Sequence, residues 1–260
     1  MSGFPISNAR WHAAQELEGN DWETIANVTE EEWQELVDKF QELFHSIAQS
    51  LHLQSDDNIL DVGCGPTVPA RLLRTGRIIG IDPLADRLKI TGETAVPGVR
   101  ILNARAEEMP FPDATFDFVV CRNVIDHTQD PLAVVRETHR VLKPDKYFLL
   151  FSYVYAPFIT LLKNLRERAG FLRNVEHPHT FTPAMLDALV AGLFHINQRF
   201  TVHTGQHSTD YGKTNMEPDH SLMNHAIIWF NKRVVGSEWF LKEYGFLAKK
   251  APVGSPEVLD

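Results

Sequence analysis

Apolar residues first recur at helical spacing after residue 29. Thr29 and Glu32 stand three residues apart, as the two partners of a capping box do, and acidic residues fill the first turn. The apolar positions that follow, at i, i+3, i+4 and i+7 spacing, are Trp33, Leu36, Val37, Phe40, Leu43, Phe44 and Ile47. This stripe predicts an amphipathic helix whose apolar face packs into a core.

From residue 58 the pattern changes to short apolar strands that alternate with helices. Strands are predicted at 59–62, 77–81, 99–102, 116–121 and 147–155, and helices at 68–74, 84–93 and 131–142. This β-α-β-α order predicts a parallel sheet with right-handed crossovers, in which ligands bind beyond the carboxyl ends of the strands. Candidate chemistry therefore falls at 61–65, Asp82, 104–107 and 121–127.

After residue 155 the alternation is less regular. The pattern predicts an amphipathic helix at 158–168, a second helix from a Thr182-Pro183 cap to about 191, and strands at 194–204 and 226–231. The polar segment between these two strands predicts a surface loop, and the last residues predict a frayed tail.

The composition is that of an ordinary globular domain. Its 260 residues suffice for one α/β domain with elaborations, and the formal charge of −9 disfavours a nucleic-acid partner. Cys64 and Cys121 offer no disulfide framework, and we find no signal-peptide pattern and no apolar stretch long enough to span a membrane. We therefore expect a soluble cytoplasmic protein.

A glycine-rich turn follows the first predicted strand. Gly63 and Gly65 let the backbone bend and approach a ligand, although dinucleotide enzymes also use such a loop. Asp61 precedes the glycines, and Thr67 stands where the dinucleotide fingerprint has its third glycine, which favours a cationic amino-acid group over a pyrophosphate. Asp82 ends the second strand, where its carboxylate can bind a ribose diol, cap the next helix, or do both.

Together these motifs resemble the class I methyltransferases that use S-adenosyl-L-methionine (SAM), specifically their small-molecule group. The resemblance extends from Asn58 to about Tyr153. The matching segments are 60–67, Asp82, Ala106-Glu107-Glu108-Met109-Pro110-Phe111, Phe116-Asp117-Phe118-Val119, the post-strand Asn123 and His127, and 140–144.

The resemblance implies SAM as cofactor and a twisted, Rossmann-like, seven-stranded, mostly parallel sheet with helices on both faces and an antiparallel last strand. The cofactor-binding residues that it implies are Asp61, Gly63, Cys64, Gly65, Asp82, Pro83, Arg105, Ala106, Glu107 and Asn123. Arg105 departs from the family, which places there an acid that accepts a hydrogen bond from the adenine amino group. Either the backbone at Ala106 and apolar contacts hold the adenine instead, or Arg105 turns away.

We expect three further parts around the SAM-binding core at 55–155. Residues 1–54 form an N-terminal helical extension or cap, 156–192 a helical insert over the pocket, and 193–250 the strands and helix that complete the core, before a tail at 251–260. The extension contains Trp11 and Trp22, and it either closes over the cofactor or covers the edge of the sheet.

Methyl transfer from SAM to a small-molecule acceptor, on a hydroxyl oxygen, is the predicted activity. A general base helps such a reaction, and His127 is the first candidate because it follows the fourth strand. His179, in the segment His177-Pro178-His179, is the second. A metal site from His177, His179, His203 and His207 lacks an evident carboxylate or cysteine partner, so no metal is predicted. Neither cysteine is given a catalytic role.

Two alternatives from other classes remain open. The first is a nicotinamide-dependent oxidoreductase, against which Thr67 and the segments 106–111 and 140–144 argue. The second is a non-catalytic relative that keeps the fold as a scaffold. The sequence does not indicate the oligomeric state.

Overall fold

The structure is a computed structural model that describes residues 5–24, 30–92, 96–168, 177–202 and 242–252. Its helices are α1 (Asn8–Thr24), α2 (Glu30–Ser50), α3 (Pro131–Val141), α4 (Pro157–Arg168) and α5 (Pro183–Val190), with a short 3-10 helix at Pro69–Leu73. Its strands are β1 (Asn58–Val62), β2 (Arg77–Asp82), β3 (Val99–Asn103), β4 (Phe116–Arg122), β5 (Leu142–Val154), β6 (Phe194–Val202) and β7 (Lys242–Lys250). The Thr29 cap, the strand at 226–231, the polar loop before it, and His203 and His207 lie outside the described residues.

The seven strands form one sheet in the order β3-β2-β1-β4-β5-β7-β6. Strands β1 to β5 pair in parallel, and β7 runs antiparallel to both β5 and β6. The predicted fold, a seven-stranded and mostly parallel sheet with an antiparallel last strand, is confirmed. Sequence analysis missed β7 itself, because its apolar centre is short and lies between lysines.

Helices cover both faces of the sheet. On one face, the α2 stripe packs as predicted, with the ring of Phe40 5.3 Å and that of Phe44 6.3 Å from the ring of Phe151. On the other face, α3 and α5 bury Val134 and Leu186 against the strands. Burial of each such side chain contributes roughly 1.5–3 kcal/mol, so the two apolar layers hold the sheet rigid beneath its carboxyl edge.

Two predicted helices are shorter than expected. The segment predicted as a helix at 84–93 consists of consecutive turns through residue 89, because Lys89 adopts a left-handed conformation (φ 57°) and the chain then turns away. The segment predicted at 68–74 is the short 3-10 helix, which lies between left-handed Val68 and Arg74. A left-handed residue cannot continue a right-handed helix, and the sequence pattern does not reveal it.

The carboxyl ends of β1, β2 and β4 meet at one edge of the sheet. The register places Asp61 beside Gly80 on one side and Val120 on the other. Residues that follow these strands are therefore neighbours in space, although they are far apart in sequence. Among the described residues, no helix has the length and hydropathy that a membrane span requires.

Candidate active site

The carboxylate of Asp82 organises the turn after β1. Its Oδ2 accepts a hydrogen bond from the backbone N–H of Gly65 at 3.0 Å, and its Oδ1 accepts one from that of Leu84 at 2.8 Å. Asp82 therefore caps the turn that follows β2, with Pro83 as the next residue, and also holds the glycine loop against β2. Each carboxylate oxygen keeps further lone pairs for a ligand, so capping does not exclude a binding role.

The two glycines of the loop are required for different reasons. Both have positive φ, 63° at Gly63 and 49° at Gly65. A Cβ on Gly63 would lie 2.2 Å from Cγ2 of Val124, so only glycine permits this close approach between β1 and the segment after β4. A Cβ on Gly65 would meet only the Trp22 ring, at 3.8 Å. The Gly65 backbone thus faces the Trp22 ring with no side chain between them.

Asp61 is a buried carboxylate with one unused oxygen. Its Oδ2 accepts a hydrogen bond from the backbone N–H of Ala70 at 2.7 Å, whereas its Oδ1 is buried and has no hydrogen-bond partner among the described residues. Burial raises the pKa of Asp61 to about 7, despite the Ala70 hydrogen bond that lowers it, and the charge of Asp82 raises it further. A cationic ligand group beside Asp61 would satisfy this oxygen and stabilise its charge.

Arg105 turns toward α1. Its guanidinium lies 4.1 Å from the centroid of the Trp11 ring, and its Nη2 donates to Oε1 of Gln129 at 2.7 Å. Glu107 accepts a hydrogen bond from the backbone N–H of Gln129 at 2.6 Å and holds the loop before α3. Of the two arrangements open from the sequence, this geometry favours the one in which Arg105 leaves the adenine position, while Ala106 stays buried at the edge.

Helix α1 lies across the carboxyl edge of the sheet. Arg87, after β2, bonds through Nε to Oε1 of Glu23 at 2.8 Å, and Arg10 donates to the carbonyl of Pro178 at 2.9 Å. Trp22 lies above Gly65 between these two anchors. Of the two roles that the sequence left open for the extension, the position of α1 supports closure over the cofactor, whereas α2 packs on a face of the sheet.

Asn123 directly follows β4 and has a left-handed conformation (φ 55°). Its Nδ2 lies 3.4 Å from Oε1 of Glu243, a residue of β7, and its buried Oδ1 has no hydrogen-bond partner among the described residues. Asn123 therefore offers an acceptor at the same edge as Asp61. Cys64, in contrast, packs against Gly80, and burial raises the pKa of its thiol well above the ordinary value, as expected for an inert side chain.

Two histidines and an aspartate meet after β4. Nδ1 of His177 donates to Oδ2 of Asp126 at 2.9 Å, and the rings of His127 and His177 lie 4.4 Å apart between centroids. Nδ1 of His127 lies 3.5 Å from Oε2 of Glu18 on α1. Sequence analysis assigned no role to Asp126 or Glu18, because their partners are far away in sequence: His177 lies 51 residues after Asp126, and His127 lies in the turn after β4 rather than near Glu18 on α1.

His179 does not suit the role of a base that the sequence suggested. It is buried, its Nε2 donates to the carbonyl of Thr128 at 2.8 Å, and burial lowers its pKa to about 4. A neutral imidazole in this position packs and holds the backbone of the 177–181 segment. The role of His179 as a base stays a prediction, while His177 is the histidine that lies beside His127.

Comparison with known proteins identifies the core. Residues 60–150, which span β1 to most of β5, match the family described as a methyltransferase domain. This segment is a class I methyltransferase domain. The domain implies SAM as its cofactor, as the sequence resemblance did.

Curated proteins that are similar to this chain include an uncharacterized methyltransferase and a demethylmenaquinone methyltransferase. The chain is 33% identical over 130 residues to the uncharacterized methyltransferase YcgJ of Bacillus subtilis, covering 48% of this chain and 51% of that protein. It is 31% identical over 103 residues to the demethylmenaquinone methyltransferase of Listeria welshimeri, covering 36% of this chain and 44% of that protein. The chain thus spans about half the length of the curated relatives that it matches.

The solved structure of YcgJ from Bacillus subtilis shows the same fold. It superposes with a TM-score of 0.60 at 22% identity, covering 81% of this chain and 98% of that one. At this identity the likeness shows the fold alone and does not identify the methyl acceptor.

Proposed function

We propose that the protein transfers a methyl group from SAM to a hydroxyl oxygen of a small molecule and releases S-adenosyl-homocysteine (SAH). The observation that carries this proposal is the cluster that Asp82, Asp61 and Gly65 form beneath α1 and beside the histidines after β4, at the carboxyl edge of the sheet that we call the crevice.

The residues of the crevice suit SAM chemically. Asp82 can accept charge-assisted hydrogen bonds from the two ribose hydroxyls, and Gly65 places no Cβ in the path of a ligand that displaces the Trp22 ring. The unused oxygens of Asp61 and Asn123 suit the ammonium group of the methionine part. SAM supplies a methyl group on a positively charged sulfur, so these residues mainly orient it for in-line attack.

The surroundings of the crevice support a small acceptor. Helix α1 and the 177–181 segment both close over the edge, since Arg10 of α1 bonds to the Pro178 carbonyl. The formal charge of −9 disfavours nucleic acid. A hydroxyl acceptor is supported by His127 and His177, because imidazoles either take the hydroxyl proton or hold a metal ion that makes the hydroxyl more acidic.

Cofactor binding is tested by calorimetric titration with SAH. Replacing Asp82 by Asn removes the charge that grips the ribose but keeps an acceptor for the backbone, so we expect the affinity to fall about 10- to 100-fold. The control Asp38→Asn, on the exposed side of α2, should leave the affinity unchanged. Binding of NAD in place of SAH would support the oxidoreductase alternative and overturn the proposal.

Turnover is tested by SAH release from SAM with panels of small hydroxylated, amino and thiol compounds. We expect methylation within the hydroxylated panel, with product identified by mass spectrometry. Turnover confined to amines or thiols would contradict the oxygen assignment. SAH binding without turnover in any panel would support the scaffold alternative.

A further inference from the structure

Asp126, His127 and His177 form a compact cluster of metal-ligand atoms beside the crevice. Asp126 Oδ2 lies 2.9 Å from Nδ1 of His177 and 3.8 Å from Nε2 of His127. One ligand atom from each of the three residues lies within 4.8 Å of the others. Zinc–nitrogen and zinc–oxygen bonds are about 2.0–2.2 Å long, so an ion between these atoms requires only small side-chain movements.

One oxygen of the buried Asp126 carboxylate is available to a cation. Asp126 is 3% exposed, and its Oδ1 is buried with no hydrogen-bond partner among the described residues. A buried carboxylate with an unused oxygen is a strong ligand for a cation.

The surrounding structure orients the cluster. Oε2 of Glu18 lies 3.5 Å from the buried Nδ1 of His127 with no hydrogen bond between them, and a carboxylate that closes this gap would direct the other ring nitrogen toward a metal and make it more basic. The His177 segment is held by two contacts of His179, from its backbone N–H to the Asp126 carbonyl at 3.2 Å and from Nε2 to the Thr128 carbonyl at 2.8 Å. The positions of both histidines are thus set by a second layer of contacts.

We propose that Asp126, His127 and His177 bind a divalent first-row transition-metal ion, with Glu18 as the carboxylate behind His127. Two imidazoles and one carboxylate leave coordination positions open, as in catalytic rather than structural sites. The inference rests on the proposed function in one respect: we expect an oxygen atom of the methyl acceptor to occupy an open coordination position of the ion.

A hydroxyl bound to this ion becomes more acidic and loses its proton to water. The oxygen then forms a bond to the methyl carbon while the carbon–sulfur bond breaks. The electron pair of the broken bond stays on sulfur, which leaves neutral SAH. Binding of the ion at Nδ1 of His177 displaces the proton that this nitrogen gives to Asp126, so metal affinity should increase with pH.

Metal binding is tested on the full chain without a histidine tag, after treatment with a chelator. Titration with Co²⁺ should produce visible absorption that saturates at about one ion per chain, and Zn²⁺ should displace it. His177→Gln and Asp126→Asn should each weaken Co²⁺ binding at least about 10-fold, and Glu18→Gln about 10-fold. The control His195→Gln, on the exposed side of β6, should bind as the wild type does.

Circular dichroism of each variant separates loss of the site from loss of the fold, and Glu18→Gln, on the surface helix, gives a mild test if the buried variants unfold. Equal Co²⁺ binding by the wild type, His177→Gln and Glu18→Gln, or none by the wild type, would overturn the metal site. SAH titration of the same samples keeps the two proposals apart, because SAH binding without Co²⁺ binding overturns only the metal site. Co²⁺ binding without SAH binding overturns only the proposed function.

Discussion

The carboxylate of Glu243 pairs with the guanidinium of Arg122, with Oε1 2.6 Å from Nη2 and Oε2 3.2 Å from Nε. Glu243 begins the buried part of β7 and is only 1% exposed, while Arg122 ends β4 and also lies 4.5 Å from the centroid of the Phe40 ring. This bidentate pair connects a strand near the end of the chain to the carboxyl edge that contains Asp61.

Replacing Glu243 by Gln should destabilise the protein by about 3–5 kcal/mol, because the change leaves a mostly buried guanidinium without its counter-charge. Urea unfolding measures this loss. The control Asp145→Asn removes a carboxylate from the exposed pair with Lys249 and should leave the unfolding midpoint unchanged. Equal effects of the two substitutions would show that the Arg122 pair is no more important than a surface ion pair.

Gly63→Ala should mainly reduce stability, whereas Gly65→Ala should mainly weaken SAH binding. The alanine Cβ at position 63 overlaps Val124, so this variant should lose about 2–4 kcal/mol of stability. The alanine at position 65 meets no such neighbour and should cost only about 1–2 kcal/mol of backbone strain, but it should weaken SAH binding about 10-fold or more by placing a Cβ in the path of the ligand.

Thermal unfolding and SAH titration together distinguish these two outcomes. The control Gly192→Ala has open space around its Cβ and should change neither stability nor binding appreciably. Undiminished SAH affinity in a folded Gly65→Ala protein would argue against a ligand over this loop.

The affinity for SAH should increase with pH through neutrality. Burial raises the pKa of Asp61 from its ordinary 3.8 to about 7, so the folded protein holds a proton there that a nearby ammonium group would displace. The ionised fraction of such a group grows about 10-fold between roughly pH 6 and pH 8, and the affinity should follow it. Calorimetry in two buffers of different ionisation enthalpy also detects the released proton.

Asp61→Asn should remove most of this dependence. The stability of the ligand-free protein should depend on pH in the opposite direction to the affinity for SAH. Because the folded pKa is raised, stability falls as pH rises from about 4 to 7, where the unfolded chain ionises and the folded chain does not. SAH affinity that is independent of pH in the wild type would contradict a cation beside Asp61.

His179 should make the protein less stable in mild acid. Its folded pKa of about 4 lies below the ordinary 6.5, so below pH 6.5 the unfolded chain binds a proton that the folded chain does not. Stability should therefore fall by about 2–3 kcal/mol as pH decreases from 6.5 to 4. His179→Gln keeps a donor for the Thr128 carbonyl and should flatten this dependence in urea unfolding. A kcat that falls sharply in this variant at neutral pH would restore His179 as a base.

The alternation of short apolar strands with amphipathic helices was enough to predict the parallel half of the sheet. Apolar periodicity and caps act over a few residues, so they predicted β1 to β4, α2 and α5 with small errors at their ends. They also predicted β5, although that strand begins at Leu142, five residues before the predicted start at 147. The same local logic identified Asp61, Gly63, Gly65 and Asp82, because each stands at a strand end where a parallel sheet presents its ligands.

The parts of the fold and of the candidate site that the sequence did not predict depend on contacts between distant parts of the chain. Strand β7 was missed because it is stabilised by pairing on both sides between β5 and β6 rather than by its own pattern. Residues 126 and 177 are 51 positions apart, and Glu18 on α1 approaches His127 in the turn after β4, so no spacing rule could bring them together. Local sequence specifies which elements form, whereas the assignment of His177 rather than His179 to the site follows from burial and hydrogen bonding, which exist only once those elements have packed.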